Sequence, residues 1–453
     1  MPRRTTRRTR VVPLLALATA GALTLAGCGS GNSSDTAGAG SSAGSGGPCG
    51  TTADTTLTVG LFGTFGFKEA GLWDAYKKVC PNITIKEDVV EQSADYWTRL
   101  KTRLASSSGL DDVQAIEIGF VADVVQNHGD QFVNWNTVPN SAADKAEFYP
   151  WKWQLATTSD GTNTVGLGTD IGPEAICYRS DLLKQAGLPS DPKTLASKWS
   201  TWDDFINFGK QYEASKTKPS GSNFVDSAAS VFSTAVYQSG EAYADENGNT
   251  DVANSDGVQN AWKYASTAAE DGITAGLQQF TPAWNKAFSS GAFATLACPT
   301  WMMGYIQGQA GDAYAGKWDI APVLPGGATN WGGSWLGVPT AAANKDAAIA
   351  LVEWLSNKDQ QTTMWTDGGH FPSNSDAAAT PAVKNAKSEY FSNAPVGTIF
   401  GDIASQMKVP PIGLYDTQIQ QAFTTQLTNV ETKGTSPDDA FQAALDQIEQ
   451  ITG

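Results

Sequence analysis

An α/β fold with a mainly parallel sheet is predicted by two observations. From Thr56 onward, strand-like and helix-like stretches alternate. The chain of 453 residues is 41% apolar, with 15 Trp and 18 Phe, which is ample core for two to four domains. Leu57-Thr58-Val59-Gly60-Leu61-Phe62 reads as the first strand. Glu69 to Val79 follows as a helix, with Trp73, Tyr76 and Val79 at helical spacing and Cys80-Pro81 as its stop. Ile83-Thr84-Ile85 alternates as a second strand, Asp95 to Leu104 places Tyr96, Trp97, Leu100 and Leu104 on one helical face, and Val113 to Ile118 is a third strand. This βαβαβ run would bind ligands beyond the carboxyl ends of its strands, where Phe65, Glu91 and Glu117 fall.

Later elements continue the alternation. Pro173 to Arg179 is a strand, and Ser180 to Gly187 a short helix capped by the glycine and terminated by Pro189. Thr201 is an N-cap for the helix that opens at Trp202, with an acid at the third helical position. Pro282 to Phe288 starts a helix, Ala292 to Ala297 is a strand, and Asn344 to Leu355 is a helix. Ser436 caps the last helix, whose buried stripe is Phe441, Ala444, Leu445, Ile448 and Ile451.

Charge and composition exclude several activities. Lys and Arg total 30 against 46 Asp and Glu, a net charge of −16, so no broad basic surface exists for nucleic acid. His128 and His370, the only two histidines, leave little for a His-rich metal site or a His-based nucleophile relay. No GxSxG, P-loop or strand-preceded GxGxxG occurs in supporting context, so no cofactor is expected. Asp245 to Asp251 offers oxygens at alternate positions, but Thr250 stands where a calcium loop needs Gly; a hairpin turn at Asn247-Gly248 is the reading preferred there.

The start of the chain reads as an export signal. Arg3, Arg4, Arg7, Arg8 and Arg10 precede an uncharged apolar stretch from Val11 to Gly27. A membrane span would use the same stretch, but Pro13, Gly21 and two threonines weaken it. Leu25-Ala26-Gly27-Cys28 resembles a bacterial lipobox, which makes residues 1–27 a lipoprotein signal peptide and Cys28 the lipidated first residue of the mature chain. The paired arginines leave a twin-arginine export route open. Residues 28–54 are the lipidated cysteine and a Gly/Ser/Ala-rich tether; Gly29 to Pro48, as random coil, spans about 25 Å. Of the remaining cysteines, Cys49, Cys80, Cys177 and Cys298 form an even set in an oxidising compartment. Three pairings are possible. Cys49 with Cys80 and Cys177 with Cys298 is the one favoured, the first pinning the tether to the end of the first helix and the second joining two apolar runs. A metal site has no CxxC spacing or nearby His in its support.

Tyr178 to Gly187, Thr201-Trp202-Asp203, Ala297-Cys298-Pro299-Thr300-Trp301 and Trp331-Gly332-Gly333-Ser334 together resemble the extracellular solute-binding lipoproteins of carbohydrate ABC importers. Gly168 to Pro173, Gln279 to Trp284 and Asn330 to Ser334 are similar to the actinobacterial cellobiose and cello-oligosaccharide binders. The resemblance runs from Thr56 to the C-terminus. It implies a periplasmic-binding-protein-like fold of two α/β lobes, three hinge crossings and an interlobe ligand cleft. The expected crossings are Thr169 to Ala175, Trp331 to Val338 and His370 to Phe391, so that lobe one comprises 55–171 with 335–375 and lobe two 172–334 with 376–453. It also implies a membrane-anchored monomer that hands an oligosaccharide to separate ABC permease subunits and breaks no bond.

A β-linked glucose chain has apolar faces and a hydroxyl edge, so its host needs aromatic plates with carboxylates and amides around them. Candidate plates are Trp301, Trp284, Trp331, Phe65 and Phe67, the last two in a Gly-flanked loop after the first strand. Candidate hydroxyl acceptors are Asp170, Glu91 and Glu117, at or beyond strand ends. An exported glycoside hydrolase needs similar groups, and a binder of peptides or other solutes is the third reading.

Overall fold

The computed structural model describes residues 47–240, 242–244, 250 and 252–453. The leader, Cys28, most of the tether and the turn at Asn247-Gly248 lie outside these residues; Ala244 and Thr250, on either side of that turn, pair antiparallel.

The chain begins with β1 (Thr55–Phe62), helix α1 (Leu72–Val79), β2 (Ile83–Val90), helix α2 (Ser93–Ser106), β3 (Val113–Glu117) and helix α3 (Ile118–Asn127). β1 runs parallel to both β2 and β3, the arrangement that helical crossovers impose. The alternation in β1 buries Leu57, Val59 and Leu61, while α2 buries the expected Tyr96, Trp97, Leu100 and Leu104. After β4 (Leu167–Gly168) the chain leaves this sheet through β5 (Asp170–Ile171) and enters a second sheet with β6 (Glu174–Arg179), β7 (Asn223–Val225), β8 (Phe293–Pro299) and β9 (Trp318–Ala321). It returns in β10 (Ser334–Gly337), which inserts antiparallel between β3 and β4, and leaves again through β11 (Phe371–Pro372), paired antiparallel with β5. The strand orders are β2-β1-β3-β10-β4 and β7-β8-β6-β9. The structure is therefore a mixed α/β fold of two lobes, with the chain passing between its two sheets three times.

The second sheet is mixed, with β6 antiparallel to β8 and β9, and β7 parallel to β8. Its strands are buried at nearly every position because both faces are covered. Along β6, Ala175 and Cys177 join one core with Trp284, Phe288 and Trp318, while Ile176 and Tyr178 join another with Trp199, Phe205 and Phe224. Helix capping follows the sequence closely: the Thr201 side chain accepts the Asp204 N–H, Thr281 that of Trp284, and Ser436 that of Asp439. In the last helix, Pro437–Thr452, the buried face is centred on Ala440, Ala444 and Ile448, with Phe441 and Leu445 only partly covered. Cys49 is bonded to Cys80, whose residue ends α1, and Cys177 to Cys298 across the neighbouring strands β6 and β8, with Cα separations of 5.7 and 5.4 Å.

The crossings touch one another. The Trp331 N–H donates to the Gly172 carbonyl at 2.8 Å, and the Gly172 N–H to Asn330 Oδ1 at 2.8 Å. A Cβ on Gly172 would lie 1.9 Å from the Trp331 carbonyl oxygen, so only glycine admits this approach.

Candidate functional site

A cavity of about 340 Å³ opens between the lobes. Lobe one supplies Glu117, Ile118 and Gly119, where β3 ends and α3 begins; the crossings supply Glu174, Asn330, Trp331 and Gly332. Lobe two contributes Thr234 and Tyr237 from the helix Ala228–Gln238, Gln278-Gln279-Phe280, and Asp416, Thr417, Gln420 and Glu431 from the helix Asp416–Lys433. No Lys, Arg or His lines the wall among the described residues.

The acids are held in unusual states. Glu117 caps α3, accepting the Gly119 N–H at 2.8 Å, yet burial pushes it up to about 7 against that bond and the attraction of Lys152. Glu174 is 1% exposed, accepts from Thr234 Oγ1 at 3.3 Å, and is pushed by burial up to about 8. Asp416 is pushed by burial up to about 7. Glu431 is raised by burial, although it accepts the Ala228 N–H. The Tyr237 phenol is raised by burial first and then by Asp416, Glu117 and Glu174, so one hydroxyl sits among three acids drawn from both lobes.

An aromatic patch stands at one side. Trp331 is half-buried in the wall, and Trp301 meets it edge-on at 5.2 Å and 72°. Trp301 Nε1 donates to the Trp331 carbonyl at 3.0 Å, which fixes the pair. Phe280 is 40% exposed, lies nearly parallel to Trp301 and edge-on to Trp331 and Tyr305, and holds φ at +61°. A large non-glycine side chain in that left-handed region is strained, and here the strain turns a ring toward the cavity instead of the core.

Of the residues singled out from sequence, Glu117 and Trp331 line this cavity and Trp301 backs it. Phe65 is half-buried at the edge of the lobe-one core, against Phe62 and Phe67. Glu91 is exposed outside the cavity wall, although its charge, after burial, helps to raise the Tyr305 phenol of the other lobe. Three expectations need correction. Phe67 is 1% exposed, because its loop folds back on α1 and sets the ring against Trp73. Trp284 is 0% exposed: the third residue of its helix turns inward, its ring packs on Phe288 and Phe293, and Nε1 donates to Asp226 at 3.0 Å. Asp170 is buried outside the wall and holds the crossings together. It accepts the Thr169 hydroxyl at 2.8 Å and the Ser334 N–H at 2.9 Å, and faces His370 Nδ1 at 3.9 Å. Burial opposes its charge, but His370, Lys152 and Thr169 together hold its carboxyl below the usual range.

Glu174, Tyr237, Gln279, Phe280 and Asp416 were not singled out by sequence reasoning. Glu174 did leave a signal, as the one acid in its strand, directly before the apolar run Ala175-Ile176-Cys177, and Gln279-Phe280 lies in a quoted motif; Tyr237 and Asp416 sit in helices with no local mark.

The family model of bacterial extracellular solute-binding proteins matches residues 71–389. The chain is 26% identical over 369 residues to the lactose-binding protein of Rhizobium radiobacter, the match covering 78% of this chain and 82% of that one. It is 25% identical over 362 residues to an arabinooligosaccharide-binding protein of Halalkalibacterium halodurans, covering 76% and 78%. The crystal structure of an extracellular solute-binding protein of family 1 superposes with a TM-score of 0.78 at 35% identity, over 88% of this chain and all 100% of the other. An ABC transporter-associated binding protein of B. animalis subsp. lactis Bl-04 in complex with β-1,6-galactobiose shares the fold, with a TM-score of 0.73 at 18% identity over 88% and 97% of the two chains. A family match over most of the chain, on a two-lobed fold with a cavity between the lobes, leads to one conclusion: the chain belongs to the bacterial extracellular solute-binding proteins.

Proposed function

We propose that the protein is the sugar-binding component of an ABC importer, and that it captures a neutral oligosaccharide, cellobiose or a short cello-oligosaccharide, between its lobes. The observation that carries this reading is the cavity wall: an indole and a phenyl ring beside acids and amides, with no cationic side chain among the described residues. Apolar sugar faces stack on rings while hydroxyls donate to carboxylates; an anionic solute would meet no cation among the described wall residues. Relatives named for lactose and arabino-oligosaccharides support a saccharide. The choice of cellobiose rests on the motifs Gly168 to Pro173, Gln279 to Trp284 and Asn330 to Ser334.

Closure of 55–171 with 335–375 onto 172–334 with 376–453 would follow from differential affinity, since a ligand touching Glu117 and Tyr237 together favours the shut state. The sugar leaves intact for the membrane permease. Cys28 carries the lipid that keeps the exported protein at the cell surface, and a single copy suffices for binding.

Titration calorimetry of the mature protein with cellobiose, cellotriose, lactose, xylobiose and maltose tests the reading. Heat with the β-glucans is expected, and chromatography after a day should return them uncut. Silence with every saccharide would remove the proposal, and shorter products would replace it with a hydrolase. Cys28→Ala should move the protein into the medium; retention at the membrane would sink the lipid anchor.

A further inference from the structure

Asp416 opens the helix Asp416–Lys433 at the cavity wall. It is 3% exposed, and neither carboxyl oxygen meets a hydrogen-bond partner. The Gly413 amide favours the charged form in part without making a hydrogen bond to either oxygen, and most of the cost of burial stands unmet. An acid in a first helical turn gains from the helix dipole, but an exposed side chain would gain it without losing water. Burying a carboxyl with neither oxygen satisfied is unfavourable for the empty protein.

Among the described residues, no cation acts on the Asp416 carboxyl. Tyr237 comes from the helix Ala228–Gln238, Tyr243 from the segment after it, Glu117 from the start of α3, Glu174 from β6 and Glu431 from the same helix. The helices Asp256–Glu270 and Pro437–Thr452, which also pack on it, put no residue in the wall. Among the described residues, no three His, Cys, Asp or Glu side chains come close enough to hold a metal ion. What the two oxygens lack is donors; both are closed to solvent in the empty protein, and the cavity wall at Asp416 is where a ligand would bring donors to them.

We propose that Asp416 is a specificity-determining ligand of the cavity, whose two carboxylate oxygens accept the hydrogens of two adjacent hydroxyls on one saccharide ring. The inference rests on the sugar-binding reading above and adds the residue that selects the hydroxyl pattern. Donors favour the ionised acid, so capture expels the proton that the empty pocket holds near neutral pH. Affinity therefore rises with pH and is lost as pH falls through the free acid's value of about 7.

Calorimetry with cellobiose and cellotriose on wild type and Asp416→Asn, between about pH 5.5 and about pH 8.5, tests it. At the upper end Asp416→Asn should bind roughly 10- to 100-fold more weakly, at the lower end the difference should shrink, and the empty variant should melt no lower than wild type. If Asp416 serves only its helix, the variant melts lower and binds with unchanged affinity at every pH, which overturns the proposal while leaving sugar binding intact. A wild type that binds no saccharide overturns both readings. Should the Asn variant fail to fold, Asp416→Ser provides the same comparison.

Discussion

Glu174 sets a measurable conflict between stability and the cavity. Burial holds its carboxyl at about 8, with Thr234 Oγ1 at 3.3 Å as a neighbour, whereas in the unfolded chain it titrates at about 4.3. An acid raised in the folded state leaves stability intact below the unfolded value; stability then drains away as pH climbs, until the folded group also ionises near 8. Between about pH 5 and about pH 8 the loss from this one group is roughly 3 kcal/mol. Glu174→Gln keeps the shape and removes the ionisation. The melting temperature of the variant minus that of wild type should therefore grow across that range by about 4 °C for a chain of this length melting as one unit. Differential scanning calorimetry of both proteins, without sugar, reads it directly. A difference that stays constant with pH would show that Glu174 is already ionised in the folded protein, and the account of an acid kept protonated by burial at the cavity would fail with it.

Two tryptophans predicted alike from sequence should separate. Trp331→Ala removes a ring from the cavity wall and should weaken cellobiose binding by on the order of 2 kcal/mol, roughly 30-fold, with a small change in melting. Trp284→Ala empties a core site and takes one of several donors from Asp226, so a stability loss of about 3–5 kcal/mol is expected, well beyond that of Trp331→Ala; equal effects of the two on stability would refute their assignment. Gly172→Ala drives a methyl to 1.9 Å from the Trp331 carbonyl oxygen, forcing two crossings apart. Unfolding free energy should fall by about 1–3 kcal/mol and affinity with it, because Trp331 moves; a variant matching wild type in both would show that the crossings are not in contact in solution.

The lobe-one run was legible because its signals are local, an alternation in Leu57 to Phe62 and a single helical face in Tyr96 to Leu104, and the same holds for the Thr201 and Ser436 caps of two later helices. Glu117 and Trp331 were legible for the related reason that strand ends and Gly-flanked turns face the cleft in this class of fold. Trp284 and Phe67 misled because sequence gives residue type and spacing, but whether an aromatic ring turns in or out is decided by what packs beneath it, here Phe288 and Trp73. Tyr237 and Asp416 were invisible because their chemistry arises only when helices far apart in the chain meet Glu117 and Glu174.

The correction at Asp170 ties the hinge to the site. Its carboxylate reaches the N–H of Ser334 in the second crossing and faces His370 in the third, while Lys152, fully buried with its ammonium 3.4 Å from the Trp335 ring centre, attracts both Asp170 and Glu117. Burial lowers that lysine to about 7, against the pull of the two acids. One cation is thus shared between an acid that holds the crossings and an acid that lines the cavity. A ligand donating to Glu117 would strengthen its ionised form and its hold on Lys152, changing the balance of charge at Asp170 without touching the hinge. Such a donor at Glu117 would be felt at Asp170 only through the Coulomb field of this ammonium, which makes no hydrogen bond to either acid.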